Sequence, residues 1–117
     1  MAATEFAARV RQEDGVAVID LTGDVSAPAE QKLLEAYAQT GGAEVVRLDF
    51  SAVDYINSTG IALIVRLLAE ARRDHRTVVA EGLSDHYREI FRITRLSDYL
   101  TIVDLPSSIP YAEEATR

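Results

Sequence analysis

Cysteine is absent from this chain of 117 residues, and histidine occurs only twice. Without cysteine there is no disulfide scaffold, no thiolate metal site and no cysteine catalysis. The spacing of His75 and His86 does not suggest a metal site, and each is expected to be an exposed surface residue. The sequence also lacks a secretory signal peptide. Together with the missing cysteine, this favours a cytoplasmic protein.

Basic residues and long apolar stretches are also scarce. The chain has 12 Lys and Arg against 19 Asp and Glu, which gives a formal net charge of −7 at pH 7. Nucleic-acid binders gather basic residues to replace counterions on phosphates, and an acidic surface disfavours anionic membranes. The longest uncharged stretch, residues 55–65, has about half of the ~20 residues that a membrane-spanning helix needs. We therefore expect neither nucleic acid nor a membrane as a partner.

The composition is that of one globular domain, with 48% apolar and 26% charged residues, and we predict a single domain over residues 1–117. An Asp14-Gly15 turn predicts a hairpin between the first two strands. Five strands are predicted, at residues 6–11, 16–21, 45–50, 77–80 and 101–103. Helices are predicted after Ser26 and Pro28, after Asn57, after Ser84 and over residues 106–114.

The order of these elements predicts an α/β fold. Short strand–helix–strand units give parallel strand pairs with right-handed crossovers, and only the opening hairpin is antiparallel. We therefore expect a mixed sheet of about five strands with three to four helices mainly on one face. Thr22-Gly23-Asp24 is expected to end the second strand, and residues 51–57 are expected to form a loop.

Catalytic motifs are missing. The sequence has no P-loop, no GxGxxG, no metal-ligand spacing and no nucleophile–base pair. Asp49 and Asp54 flank the end of the third strand, where α/β sheets often bind ligands, although an aspartate there more often caps a loop. An enzyme or nucleotide-binding protein is thus the weakest hypothesis, and we expect no enzyme activity, no cofactor and no metal.

The stretch before the most apolar helix is more informative. Asn57 or Ser58 is suited to cap that helix, and Gly60 lets it approach its neighbours. Bulky apolar side chains at Tyr55 and Ile56 directly precede the cap, which indicates a docking patch. A hydroxyl at this helix start lies at the positive end of the helix dipole. Ser58 is therefore a chemically sensible phosphate acceptor.

This pattern resembles the STAS domain family, and within it the bacterial anti-sigma-factor antagonists. In that family an apolar strand ends in Leu-Asp-Leu/Phe-Ser, followed by x-Val-x-x-Ile/Met and by Asp-Ser-Ser/Thr-Gly at the start of an apolar helix. The matching segments here are Leu48-Asp49-Phe50-Ser51, Val53-Asp54-Tyr55-Ile56 and Asn57-Ser58-Thr59-Gly60, together with an earlier Leu21-Thr22-Gly23 turn. The resemblance covers most of residues 5–110.

The resemblance implies a partner-switching regulator. The unphosphorylated protein would bind an anti-sigma factor, usually a serine kinase with a GHKL-type ATP site, and so free a sigma factor. The kinase would then phosphorylate Ser58, and a phosphatase of the PP2C type would restore the hydroxyl. The partner-binding residues that the resemblance implies are Gly23, Asp24, Ser26, Asp54, Tyr55, Ile56, Asn57, Thr59 and Gly60.

Two positions depart from the family pattern. Asn57 stands where the family has Asp before the serine, and Ser26 stands where many relatives have Asp, three residues after the glycine of the Leu-x-Gly turn. Asn57 keeps the ability to cap a helix but carries no negative charge. This leaves a second hypothesis open, in which the chain is a STAS adaptor subunit of a transport or sensory complex and is not phosphorylated.

Overall fold

The computed structural model describes residues 5–103 of the chain. In chain order the main elements are β1 (Ala7–Glu13), β2 (Val16–Val25), α1 (Glu30–Ala38), β3 (Val45–Ile56), α2 (Ser58–Arg73), β4 (Thr77–Glu81), α3 (Asp85–Ile93) and β5 (Thr101–Val103). Two short 3-10 turns lie at Ala27–Ala29 and Leu96–Asp98. The helix predicted over residues 106–114 lies outside the described residues.

The predicted mixed sheet is confirmed. Its strands lie in the order β1-β2-β3-β4-β5, with β1 antiparallel to β2 and the other neighbours parallel. The hairpin closes at Asp14 and Gly15, whose φ angles of 50° and 82° suit a tight turn of the hairpin type. Glu13 pairs directly with Val16 across this turn.

The three α-helices share one face of the sheet because each parallel crossover moves to the next strand in the same direction. A right-handed crossover then always places its helix on the same side. Between this face and the helices lies the core, whose members include Ile19, Leu21, Val46, Leu48, Phe50 and Val78 from the strands and Leu33, Ile64, Leu67, Leu68 and Phe91 from the helices.

The opposite face of the sheet carries charged side chains in ion pairs. Arg11 Nε lies 2.7 Å from Asp20 Oδ2 on the neighbouring strand. Arg47 lies between two carboxylates, with nitrogens 3.6 Å from both Glu13 Oε1 and Glu81 Oε1. This alternation of buried apolar and paired polar residues is typical of a sheet with one covered face and one open face.

The second strand is longer than predicted, because Thr22-Gly23-Asp24 does not end it. β2 continues to Val25, and its pairing with β3 shifts register on both sides of Gly23. Gly23 has a φ angle of 83°, which is the left-handed region that glycine adopts at β-bulges. The glycine therefore bends the strand without breaking it.

The third strand is also longer than predicted, so the expected loop at residues 51–57 is wrong. β3 runs to Ile56 because β2 continues beside it, pairing Asp24 with Tyr55 and Val25 with Ile56. The strand β4 accompanies β3 only as far as Asp49, which pairs with Glu81. The last part of β3 is thus a two-stranded extension beyond the main sheet.

The two serines predicted to precede helices differ in their capping. Ser26 lies at the start of the first 3-10 turn, but its side chain forms no capping hydrogen bond there, so this turn is held by backbone contacts. Ser84 does cap α3 as predicted, since its Oγ accepts a hydrogen bond from Tyr87 N at 3.2 Å. Within residues 5–103 no helix combines the length and apolarity needed to cross a bilayer.

Candidate functional site

Asn57 accepts the hydrogen bonds that begin α2. Its Oδ1 accepts a hydrogen bond from Gly60 N at 2.8 Å, and its carbonyl oxygen accepts one from Ile61 N at 2.9 Å. Asn57 is therefore the N-cap, and the first residue inside the helix is Ser58. Of the two caps that the sequence allowed, the structure selects Asn57.

The end of β2 lies directly against this helix start. A Cβ atom at Gly60 would lie only 2.0 Å from Val25 O, so no other residue fits without movement. Asn57 N also donates a hydrogen bond to Val25 O at 3.2 Å. These contacts bring the segment around Asp24 and Ser26 beside the residues that precede and open α2.

On its other side the helix start is held from α3. Tyr87 Oη accepts a hydrogen bond from Ile56 N at 2.9 Å and donates one to Ile56 O at 3.4 Å. Sequence spacing places Tyr87 on α3 but does not reveal where its long side chain ends, so this contact was not predicted. A cleft of about 180 Å³ lies here, lined by Phe50, Ser51, Val53, Asp54, Ile56, Gly82, Leu83, Ser84 and Tyr87.

The structure brings the predicted site residues together around the start of α2, at different depths. Exposed side chains belong to Asp54, Tyr55, Ser58 and Thr59, and those of Asp24, Ser26 and Asn57 are half-buried. Buried residues are Gly23, Ile56 and Gly60. Tyr55 is 54% exposed, which makes it one of the most exposed large hydrophobic residues of residues 5–103. The buried residues fix the path of the backbone, and the exposed side chains form the surface around the start of α2.

The electrostatic environment of Ser58 favours an anion. Its hydroxyl lies in the first turn of a helix of 16 residues whose first turn contains no acidic residue. Free backbone N–H groups and the helix dipole make such a position favourable for a phosphate. Among residues 5–103, no group of three or more His, Asp or Glu is arranged to hold a metal ion.

The two strand-end aspartates have different environments. Asp49 Oδ1 accepts hydrogen bonds from Ser51 N at 2.9 Å and from Ser51 Oγ at 2.6 Å. This confirms the interpretation of Asp49 as a residue that caps local backbone. Asp54 is exposed on the extension of β3 and lines the cleft beside Ile56 and Tyr87.

The fold and this helix start define a STAS domain. A family model described as "Mlab, STAS domain" matches residues 8–104, which is most of the chain, and the chain therefore belongs to the STAS domain family. Curated relatives point to one branch. The chain is 35% identical over 106 residues to the "Putative anti-sigma factor antagonist BtrV" of Bordetella bronchiseptica, covering 89% of each sequence.

A second relative agrees with this placement, and solved structures agree with the fold. The "Anti-sigma-B factor antagonist" of Listeria monocytogenes is 36% identical over 77 residues, covering 66% of this chain and 67% of the relative. The anti-sigma factor antagonist SpoIIAA is similar in fold in its unphosphorylated form, with a TM-score of 0.63, 18% identity and coverage of 84% of this chain and 88% of that one. The phosphorylated form of SpoIIAA, from Bacillus, has a TM-score of 0.60, 18% identity and coverage of 84% and 92%.

Proposed function

We propose that this protein is an anti-sigma-factor antagonist that works by partner switching. In its unphosphorylated form it binds an anti-sigma factor, and phosphorylation of Ser58 releases it. The observation that carries this proposal is the exposed Ser58 in the first turn of α2, three residues after the exposed Tyr55 in the chain. The names of the curated relatives support the same activity.

The proposed docking surface is the set of exposed and half-buried residues around the start of α2. Exposed aromatic side chains are frequent binding anchors because they bury much area at a small cost in conformational entropy. Tyr55 is the anchor that this surface offers. The remaining proposed contacts are Asp24, Ser26, Asp54, Asn57 and Thr59, while Gly23, Ile56 and Gly60 act by shaping the backbone beneath them.

Phosphorylation would act on this surface through charge. A phosphoserine adds about −1.5 to −2 charges near pH 7, and the chain already carries a formal charge of −7. The start of α2 stabilises the phosphate on the free protein, whereas the interface would have to remove its hydration. A loss of ~3–4 kcal/mol in binding corresponds to a several-hundredfold weaker complex.

The proposed partners follow from this cycle. The anti-sigma factor would itself be a serine kinase of the GHKL type, and a PP2C-type phosphatase would regenerate the binding form. SpoIIAA has been solved in both phosphorylation states, which supports phosphorylation as compatible with this fold. An antagonist of an anti-sigma factor acts where transcription takes place, so we assign it to the cytoplasm.

The decisive experiment uses the purified protein, its cognate anti-sigma kinase and ATP. We expect one phosphate, mapped by mass spectrometry to Ser58, and stable binding of the kinase to the unphosphorylated protein in the presence of ADP. Ser58→Ala should abolish labelling and keep binding. Thr59→Ala is the matched control, because Thr59 is also an exposed residue with a hydroxyl in the same turn. Phosphate on Thr59 and none on Ser58 would contradict the proposal.

A second candidate function rests on Asn57. Because this residue stands where the family pattern has a carboxylate, the chain could serve as a STAS adaptor subunit of a transport or sensory complex without being phosphorylated. The two functions differ in their response to Ser58→Glu. An antagonist loses its partner in this variant, whereas an adaptor binds its complex with unchanged affinity.

A further inference from the structure

We propose that Tyr87 is a positioning residue that holds the start of α2 in place from the neighbouring helix. The inference rests on the proposed function of Ser58 and concerns how that serine is presented to its partner. The side chain of Tyr87 crosses from the first turn of α3 to the last residue of β3. There its hydroxyl forms hydrogen bonds with both backbone groups of Ile56.

The need for this contact follows from the shape of the sheet. β4 accompanies β3 only up to the pair Asp49–Glu81, so the extension of β3 has β2 on one side and no strand on the other. A backbone N–H group in a partly buried position is costly when it has no partner. The hydroxyl of Tyr87 supplies that partner at 2.9 Å from Ile56 N. At Ile56 the hydroxyl thereby supplies the hydrogen bond that a neighbouring strand would otherwise supply.

The contact bears on Ser58 because only one residue separates Ile56 from it. Asn57 is fixed on the β2 side by its bond to Val25 O and fixes the helix through its bond to Gly60 N. The Ile56 side chain is 5% exposed and lies in the core. Val25 and Tyr87 thus hold the residues before Ser58 from opposite sides, and removal of the hydroxyl leaves only the side of β2.

Tyr87 is itself held firmly. Its backbone N–H donates to Ser84 Oγ at 3.2 Å, within the N-cap of α3. One turn later Phe91 anchors the helix, with its ring edge-to-face against Phe50 at a centroid distance of 5.8 Å. The core therefore fixes the position of α3, and α3 in turn fixes the Tyr87 hydroxyl beside Ile56.

The first test is amide hydrogen exchange on the Tyr87→Phe variant, which loses only the hydroxyl. We expect exchange at Ile56 to become about tenfold faster, the factor that corresponds to one lost neutral hydrogen bond. The amides of Asn57 and Gly60 should also exchange faster. Tyr37→Phe is the matched control, since it removes a tyrosine hydroxyl bonded to Asp74 Oδ2 at 2.7 Å, at the opposite end of α2. The control should leave the exchange of Ile56 unchanged.

The second test measures phosphorylation kinetics with the cognate kinase. Tyr87→Phe should lower kcat/KM by about three- to tenfold through a higher KM, because the docking geometry changes while the reacting hydroxyl does not. Tyr37→Phe should keep the wild-type KM even where its global stability falls by the same amount. This difference separates positioning from a general loss of stability.

Each result decides a specific point. Wild-type exchange at Ile56 in Tyr87→Phe overturns the inference, and so does faster exchange with unchanged KM. If the wild-type protein is never phosphorylated on Ser58, the proposed function fails. The exchange data then still decide whether Tyr87 holds the start of α2.

Discussion

At Gly60 the first turn of α2 comes so close to the end of β2 that no side chain fits between them. A Cβ atom there would lie 2.0 Å from Val25 O and 2.8 Å from Val25 C. Both of these atoms belong to the backbone, so they cannot rotate away as a flexible side chain would. The glycine thus fixes the distance between the helix start and the segment that contains Asp24 and Ser26.

The first prediction concerns Gly60→Ala. We expect the free energy of unfolding to fall by about 1–3 kcal/mol or more, as for other overpacked sites, and partner binding to weaken because the site moves. Urea denaturation measures the first effect. Gly42→Ala is the control, since a Cβ atom at Gly42 meets nothing within 4 Å. Equal stability of the two variants would contradict the close approach.

Asn57 stabilises the start of α2 as its N-cap. Asn57→Ala should lower the free energy of unfolding by about 1 kcal/mol, because Gly60 N loses its acceptor. Asn57→Asp keeps an acceptor and adds a negative charge at the helix N-terminus. It should be as stable as the wild type or more stable by about 0.3–1 kcal/mol. Thermal unfolding compares the variants, and a destabilised Asp variant would refute this reading of the cap.

The cap and the glycine were both predictable from the sequence, because Asn-Ser-Thr-Gly before an apolar helix is a local signal. The hydroxyl bond from Tyr87 to Ile56 was not predictable. It joins residues 31 positions apart, and no local pattern shows which backbone group a distant tyrosine will reach. Sequence reasoning therefore predicted the cap and the glycine of the candidate site, but not the tyrosine that bonds to Ile56 beside them.

At the level of elements, the lengths of β2 and β3 are the main difference between expectation and structure. Polar residues and a glycine predicted that both strands end early. Instead the two strands pair with each other past the main sheet, with register shifts between Asp20 and Thr22 and between Gly23 and Asp24. Strand pairing is a long-range property, so local composition predicts the presence of a strand better than its end. The exposed Tyr55 lies on this extension.

The open face of the sheet yields a prediction about pH. Burial raises the pKa of Glu81 above 4.5, although the positive charge of Arg47 opposes this shift. Asp49 on β3 and Asp20 on β2 raise the pKa of Glu81 further, while Arg11 lowers it. The folded protein therefore holds the Glu81 proton more tightly than the unfolded chain does. The contribution of Glu81 to the free energy of unfolding is complete below about pH 4.5 and is lost as pH rises through the pKa of Glu81 in the folded protein.

Glu81→Gln should remove this dependence. We expect the variant to become more stable relative to the wild type as pH rises from about 4 to 7. Over this range the buried Glu81 becomes charged in the wild type, whereas the amide of the variant stays neutral. Urea denaturation at several pH values measures the difference. Glu89→Gln, at an exposed position of α3, is the control and should show a smaller change. A difference that moves the other way with pH would show that the Arg47 contact outweighs burial.

In the whole molecule, the two ends of α2 have different surroundings. The C-terminal end is tied into the fold, where Tyr37 bonds to Asp74 and Arg76 bonds to Thr40 Oγ1 at 2.6 Å. The N-terminal end combines buried backbone contacts with exposed side chains. A modification at the exposed Ser58 would therefore change the surface without disturbing the core.

Phosphorylation of Ser58 should leave the stability of the free protein unchanged or raise it by up to about 1 kcal/mol, since the added charge lies at the positive end of the α2 dipole. The same modification should abolish partner binding. Thermal unfolding of the phosphorylated protein, compared with the same sample after phosphatase treatment, separates these effects. A fall in Tm of more than about 5 °C, which corresponds to roughly 1 kcal/mol for a domain of this size, would mean that release comes from loosening of the fold. An unchanged Tm places the switch at the interface, where the acidic protein and its new phosphate meet the partner.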